Sequence, residues 1–181
     1  MATANTFLGS ASGRLLQASI PFRFFAAAVL FHLLAWLALA WAGPDIIDFV
    51  GGLGWTLAGL HLLTLGVLVM TALGASLQLL PVATRQPVMS QRWPYELLWG
   101  LYVLGVMAVV AGMAFWLPTL LWLGALTVAL ALLLYLGLLA LNLRGAKGMP
   151  LVVVHGWVAA LSLLVCWPAH CRWPASTAAS S

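Results

Sequence analysis

Long apolar stretches, separated by short polar or proline-containing segments, fill most of this chain. The hydrocarbon core of a bilayer is about 30 Å thick and an α-helix rises about 1.5 Å per residue, so a spanning helix needs roughly 20 mainly apolar residues. We predict about five spanning helices, over residues 21–42, 56–80, 95–116, 118–142 and 151–168. The sequence therefore predicts an all-α fold, a polytopic transmembrane helical bundle over residues 20–168.

Proline and glycine mark where the predicted helices begin and end. Gly43 and Pro44 follow the first apolar stretch, and Pro81 terminates the second, because proline lacks a backbone N–H and clashes with the preceding turn of a helix. Pro118 starts the fourth stretch almost directly after the third. A connection this short makes two helices antiparallel neighbours, so we predict that the third and fourth helices form a hairpin.

The composition is that of a membrane protein rather than of a soluble domain. Hydrophobic residues make up 65% of the 181 residues, charged residues only 6%, and the mean hydropathy is +1.12. A soluble fold could not bury this much apolar surface. The net charge of +4 comes from basic residues that are spread thinly, without the clusters interleaved with aromatic residues that bind nucleic acids. We therefore expect the lipid bilayer, and no nucleic acid, as a partner.

The basic residues predict the orientation of the bundle. Cytoplasmic loops of membrane proteins carry an excess of lysine and arginine. If the helices alternate in direction, one side of the membrane receives every basic residue but Arg172: Arg14, Arg23, Arg85, Arg92, Arg144 and Lys147. We therefore place the N-terminus in the cytoplasm and the chain in a bacterial cytoplasmic (inner) membrane, as a multi-pass protein. Glu96 is close to Arg92 in sequence, and we predict an ion pair between them.

The two termini differ in character from the bundle. Residues 1–19 and 169–181 are predicted to be flexible tails, because they are rich in small and polar residues and lack apolar periodicity. Cys166, just before the second tail, and His170 and Cys171 within it are residue types that bind metals. Their spacing matches no zinc pattern, so we assign them no site.

A stripe of polar and small residues follows one face of the second predicted helix. Its members are spaced three and four residues apart: His61, Thr64, Leu68, Thr71, Ala75 and Gln78. A glutamine or histidine that faced lipid would lose its hydrogen bonds, so we expect this stripe to point into the bundle. The fifth predicted helix carries a similar stripe: His155, Ala159, Ser162 and Cys166.

The third and fourth predicted helices differ in how they can pack. Small residues let helix backbones approach closely in membranes. The third helix offers such a face with Gly105, Ala108 and Gly112. The fourth has almost no polar residue before Tyr135 and Asn142, so we expect it to be the most lipid-exposed helix.

Two histidines within the predicted spans are candidate cofactor ligands. A neutral imidazole in a membrane bundle can bind heme iron or a transition metal. We assign cofactor binding to His61 and to His32, which lies between Ala28 and Ala35, and metal ligation to His61. Alternatively, each imidazole hydrogen-bonds a threonine or a backbone carbonyl of a neighbouring helix. His155 lies near the cytoplasmic end of its helix, too far in depth from His61 to share a metal with it.

Two stretches of the chain resemble a known family. One is IPFRFF, residues 20–25, and the other is HLLTLGVLVMTALGASLQLLPV, residues 61–82. They are similar to the N-terminal part of heme-copper oxidase subunit I-like membrane proteins, including the NnrS-like branch. The resemblance implies that His61 is an axial ligand of a low-spin heme b. The catalytic helices of that family lie beyond the fifth helix, so the resemblance also implies a truncated or frame-shifted member that cannot reduce oxygen or nitric oxide alone.

Three functions remain open from the sequence. The first is a heme-binding membrane protein related to respiratory or nitric-oxide-response proteins and not catalytically complete by itself. The second is a non-catalytic accessory or assembly component without a cofactor, working with other membrane subunits or as a homo-oligomer. The third, a small transporter, has less support, because we find neither an inverted repeat nor a broken helix with a polar site at the midplane. We assign no catalytic residue and expect no enzyme activity from the chain alone.

Overall fold

The computed structural model describes residues 16–87, 91–146 and 150–171. Five helices run through these residues: α1 (Ser19–Ala42), α2 (Trp55–Thr84), α3 (Trp93–Ala114), α4 (Pro118–Arg144) and α5 (Pro150–Cys171). A short 3-10 turn, Gly43–Ile46, continues α1, and no strand occurs among the residues described. The prediction of an all-α bundle of about five helices is confirmed. Most of the two predicted tails, residues 1–15 and 172–181, lies outside the described residues.

Helices α1 to α4 are long and apolar enough to cross a membrane, with mean hydropathies between 1.9 and 2.4 in their most apolar windows. The portion of α5 from Pro150 to Ser162 is apolar as well. Only 28% of the α4 window is buried inside the bundle, against 33%, 39% and 50% for α1, α2 and α3. Helix α4 is thus the most lipid-exposed of these four, as its sequence predicts. The chain is a multi-pass integral membrane protein.

Helices α3 and α4 form the predicted antiparallel hairpin and touch backbone to backbone. A β-carbon added to Gly112 would lie 2.6 Å from the backbone nitrogen of Leu121, and one added to Gly124 would lie 2.5 Å from that of Val109. Gly105 makes a third contact of this kind. A larger residue at these positions would push the helices apart, so the small-residue face predicted on α3 is confirmed as its packing face.

Helices α1 and α2 interlock through large residues of α1 that fill notches left by glycines of α2. Three pairs make this contact: Phe24 with Gly74, Phe31 with Gly66, and Leu39 with Gly59. A β-carbon at any of these glycines would lie within 2.8 Å of the facing side chain. Because the residue numbers rise along α1 as they fall along α2, the two helices are antiparallel.

The sequence predicts that α2 ends at Pro81, but the helix continues for one more turn, to Thr84. Arg85 takes the left-handed conformation (φ 56°) that closes the helix. Its N–H donates to the carbonyl of Val82 at 3.3 Å, and the N–H of Gln86 donates to the carbonyl of Pro81 at 3.0 Å. Proline removes only one donor, and a spanning helix tolerates it when the following turn makes its own hydrogen bonds.

The arginines among the described residues gather at one end of the bundle, where α1, α3 and α5 begin and α2 and α4 end. We call this the basic end; its arginines are Arg23, Arg85, Arg92 and Arg144. Asp45 and Asp48 follow the other end of α1. The remaining basic residues lie outside the described ranges: Arg14, Lys147 and Arg172.

Glu96 at the basic end pairs with Arg23, not with Arg92 as predicted. Arg23 Nη1 lies 3.4 Å from Glu96 Oε1, and both side chains are about half exposed. Arg92 instead contacts Gln17 and Ser19 at the start of α1. The prediction is wrong because it considers only neighbours along α3, whereas α1 begins directly beside that helix.

Candidate functional site

Helix α2 changes its winding directly after His61. Residues Leu62–Val69 form a π-helix, in which each N–H bonds the carbonyl five residues back instead of four. Such segments are rare and occur frequently at functional sites. The buried Tyr102 of α3 donates its hydroxyl to the carbonyl of Leu65 within this segment, at 3.0 Å. The π-helical turn is therefore held by a second helix.

The first part of the predicted polar stripe faces away from the bundle interior. From Leu62 onward, the buried residues of this part of α2 lie at intervals of four: Leu62, Gly66 and Met70. Thr64, Leu68 and Thr71 are exposed, Leu68 by 66%, and His61 is half-buried. The prediction that the stripe faces inward is wrong for these residues, because α1 packs on the glycine face of α2 instead: Gly59, Gly66 and Gly74. Farther along the stripe, Ala75 and Gln78 are half-buried, and Oε1 of Gln78 is buried.

Exposed threonines cost little in this position. Thr64 Oγ1 donates to the carbonyl of Leu60 at 3.0 Å, so its hydroxyl is satisfied within α2 itself. Apolar side chains such as Leu68 lose nothing by facing lipid, while glycines are needed where α1 approaches closely. We define the outer face of α2 by four residues: His61, Thr64, Leu68 and Thr71.

The imidazole of His61 has a fixed tautomer. Its Nδ1 lies 3.0 Å from the carbonyl oxygen of Leu57, one turn earlier. A carbonyl oxygen can only accept, so Nδ1 carries the hydrogen and Nε2 keeps its lone pair. No group among the described residues hydrogen-bonds Nε2. A histidine with its Nδ1 on a carbonyl and its Nε2 free has the arrangement of a metal ligand.

His32 has its Nε2 engaged and lies on the surface of α1. It is exposed, although Ala28 and Ala35 on either side of it along the helix are buried. Its Nε2 accepts a hydrogen bond from Nε1 of Trp36 at 2.9 Å, so the lone pair of that nitrogen is occupied. No hydrogen bond joins His32 and His61.

His155 on α5 shares the tautomer of His61 but lies nearer the basic end. Its Nδ1 is 2.7 Å from the carbonyl oxygen of Leu151, and its side chain is exposed. Within the part of the chain that the structure describes, no three side chains of His, Cys, Asp or Glu come together. The side chains of the remaining metal-capable residues lie outside that part: Cys166, His170 and Cys171.

A cavity of about 110 Å³ lies between α2, α3 and α4 near the basic end. Leucines and prolines make up most of its lining, and Ser76, Tyr135, Gln86 and Asn142 add polar groups. A recess of about 420 Å³, open to the surroundings, adjoins it between α2, α4 and α5. The two spaces share four lining residues: Ser76, Leu80, Tyr135 and Leu139. We call the cavity and the recess together the basic-end groove.

Hydrogen bonds between α2 and α4 cross the wall of this groove. Tyr135 Oη donates to Ser76 Oγ at 2.9 Å. Closer to the basic end, Thr84 Oγ1 lies 2.8 Å from both Leu80 O and Asn142 Oδ1. A hydroxyl carries one hydrogen and a primary amide carries two, so Asn142 keeps at least one N–H for another partner in either orientation of its amide.

The groove is not evident from the apolar pattern of the sequence. The signal that points to it is the pair Tyr135 and Asn142, which lie two turns apart on one face of an otherwise apolar helix. Ser76 and Thr84 have a similar separation on α2. Matching polar pairs on two spanning helices indicate where those helices make hydrogen bonds with each other.

The surfaces of the helices establish the class of the protein. Large apolar side chains such as Leu37, Leu104 and Leu126 are exposed on three different helices, as expected where lipid surrounds the bundle. The chain is an integral membrane protein whose helices contact lipid directly. Comparison with known proteins gives no match to a family model, to a curated protein or to a solved structure.

Proposed function

We propose that this protein is a membrane component that binds heme through His61 and that is not catalytically complete by itself. The state of the His61 imidazole carries the proposal. Its Nδ1 is held by the carbonyl of Leu57 at 3.0 Å, which leaves the lone pair of Nε2 free for iron. The π-helix that begins directly after this residue supports a functional role for the position.

The surroundings of His61 fit one side of a heme. The residue is half-buried at the start of the outer face of α2, where Leu60 and Leu68 are exposed apolar neighbours. A porphyrin is largely apolar, so such a surface can cover one side of it. His61 would hold the heme, and His32 would be free to bind it only if its Nε2 gave up the hydrogen bond from Trp36. Another membrane chain or a second copy of this one would then supply any second ligand.

Absorption spectra test this function. The protein, expressed with ample heme and purified in detergent, is expected to show a Soret band that shifts on reduction. His61→Ala should remove the band. His155→Ala is the matched control, because His155 has the same tautomer but lies nearer the other end of the bundle. A wild-type protein without a Soret band contradicts the proposal, and so does a band that His61→Ala leaves unchanged.

A second function, an accessory or assembly component without a cofactor, is favoured by a different observation. Thr64 and Thr71 are exposed on the outer face of α2 rather than facing its packed side. Polar groups at a lipid-facing surface gain hydrogen bonds when another helix packs on them. For this function, the double variant His61→Leu, Thr71→Leu should remove a larger complex from native gels of solubilised membranes. Ser162→Leu, at an exposed position of α5, is the control. Persistence of the complex in the double variant would exclude this function.

A further inference from the structure

The basic-end groove is separate from the proposed heme site and lies toward the other end of α2. Its wider part opens between α4 and α5, and its lining there is mostly apolar, with Leu80, Leu139 and Leu151 among the residues that form it. A recess with a mostly apolar lining gives water few hydrogen-bond partners. An apolar chain is therefore the better occupant of this part of the groove.

Two exposed arginines lie beside the basic end of the groove along the chain. Gln86, which lines the cavity, donates from Nε2 to the carbonyl of Gly145 and so joins the end of α2 to the end of α4. Arg85 directly precedes Gln86 in the chain, and Arg144 directly precedes Gly145; both arginines are exposed. Neither guanidinium makes an ion pair or hydrogen bond with a residue that the structure describes.

The other two arginines of the basic end are already engaged. Arg23 pairs with Glu96, and Arg92 contacts Gln17 and Ser19. Among the described residues, the unmatched positive charge of this end is therefore carried by Arg85 and Arg144. Basic pockets between helices on the cytoplasmic side of a membrane bind the phosphates of anionic lipids. The distribution of lysine and arginine predicts that the basic end lies on that side.

Hydrogen-bond donors in the groove match the next part of a lipid. Asn142 keeps a free N–H and lies on the wall of the cavity close to its basic end. The ester carbonyls of a phospholipid follow the phosphate and only accept hydrogen bonds. Farther from the arginines, Tyr135 and Ser76 bond to each other. His155 is the other polar residue of the recess lining, and the remaining residues are apolar or glycine, so that part of the groove suits an acyl chain.

We propose that the basic-end groove binds an anionic phospholipid. Its phosphate lies between Arg85 and Arg144, its ester region lies at Asn142, and one acyl chain fills the recess between α4 and α5. From the basic end inward, the groove offers positive charge, then a hydrogen-bond donor, then an apolar wall. A phospholipid has its phosphate, its ester and its acyl chain in the same order. This site does not depend on heme at His61.

Native mass spectrometry of the detergent-solubilised protein measures this binding. Titrated with phosphatidylglycerol and with phosphatidylcholine of the same acyl chains, the wild-type protein is expected to prefer the anionic lipid. The double variant Arg85→Gln, Arg144→Gln should lose this preference, with an affinity for phosphatidylglycerol about tenfold lower, because each basic residue near the phosphate contributes to binding. The matched control is Arg23→Gln with Arg92→Gln, which removes the same charge from the same end.

Two further measurements distinguish a lipid from a free phosphate. Ala159 lines the recess, so Ala159→Phe should obstruct it and weaken the binding of both lipids. Soluble glycerol 3-phosphate should not displace bound phosphatidylglycerol. Displacement by glycerol phosphate would overturn the proposal, since it would indicate a site for the phosphate alone. Undiminished binding by Ala159→Phe, or an equal loss of preference in the control arginine variant, would overturn it as well.

Discussion

Helix α4 makes two contacts of opposite kind. Against α3 it is sealed, since Gly112 and Gly124 bring the backbones so close that a β-carbon on either would lie 2.5–2.6 Å from the other helix. Against α2 and α5 it leaves the basic-end groove, which the Tyr135–Ser76 hydrogen bond crosses. In lipid, apolar side chains gain little by contacting one another, so close backbone packing and hydrogen bonds decide where helices adhere. The sealed contact stabilises the fold, and the open contact leaves room for a ligand.

The sealed contact should be the most sensitive to an increase in side-chain size. Gly112→Leu places a side chain against the backbone of Leu121, which cannot move without separating the helices. We expect a loss of about 3 kcal/mol in the free energy of unfolding, measured by titration with a denaturing detergent. Gly137→Leu on α4 is the control, because nothing lies within 4 Å of a β-carbon at that position. Equal tolerance of both changes would show that α3 and α4 are not sealed together.

A smaller effect is expected where α3 packs on the π-helical segment. Tyr102→Phe removes the hydroxyl that bonds the carbonyl of Leu65 and leaves that carbonyl without this donor in a buried contact. We expect a loss of about 1 kcal/mol in the same titration. Unchanged stability of this variant would indicate that the hydrogen bond does not help to hold the π-helix.

Replacing a tyrosine by phenylalanine in the open contact should cost less stability. Tyr135→Phe removes the hydroxyl that bonds Ser76, but water or lipid in the groove can replace this partner. We expect a loss of about 0.6 kcal/mol or less. The order of the two tyrosine variants is the sharper test, and a larger loss for Tyr135→Phe than for Tyr102→Phe would contradict the distinction between a sealed and an open contact.

The smallest effect is expected at the surface of the basic end. Arg23→Gln breaks the pair with Glu96, whose two side chains are 46% and 48% exposed. Exposed pairs contribute about 0.2–1 kcal/mol, and salt screens them, so the loss should fall in this range at low salt and shrink at high salt. Arg85→Gln, which breaks no such pair, is the control. A loss in Arg23→Gln that salt does not reduce would contradict this electrostatic explanation.

The helices and the hairpin could be predicted because their signals are local. Apolar length alone predicts a spanning helix, and Pro118 directly after an apolar stretch predicts the turn between α3 and α4. Gly105 and Gly112 were recognisable as a packing face because, in a regular α-helix, three-four spacing keeps small residues on one side. Helix α3 has this regular winding, so the prediction holds there.

Neither the exposure of the outer face of α2 nor its winding follows from the spacing of its polar residues. The exposure depends on the glycines on which α1 packs, Gly59, Gly66 and Gly74, and the winding depends on a contact with α3. The π-helix at Leu62–Val69 receives a hydrogen bond from Tyr102 of α3, and no periodicity within α2 reports that partner. The exposure of His32 has a different, local reason. Its imidazole is satisfied by Trp36 on the same helix, so it does not need a place inside the bundle. Heme binding by His61 stays a prediction that only a spectrum decides.

The account depends most on α1 to α4 crossing a membrane with the basic end in the cytoplasm. Single cysteines in place of Asp48 and Gln91 test this directly, in a Cys166→Ser, Cys171→Ser background. Both residues are exposed, and they lie in loops on opposite sides of the bundle. With a membrane-impermeant maleimide on intact cells, we expect labelling at position 48 from outside and at position 91 only after the membrane is permeabilised. Labelling of both positions from the same face of intact cells would contradict the arrangement.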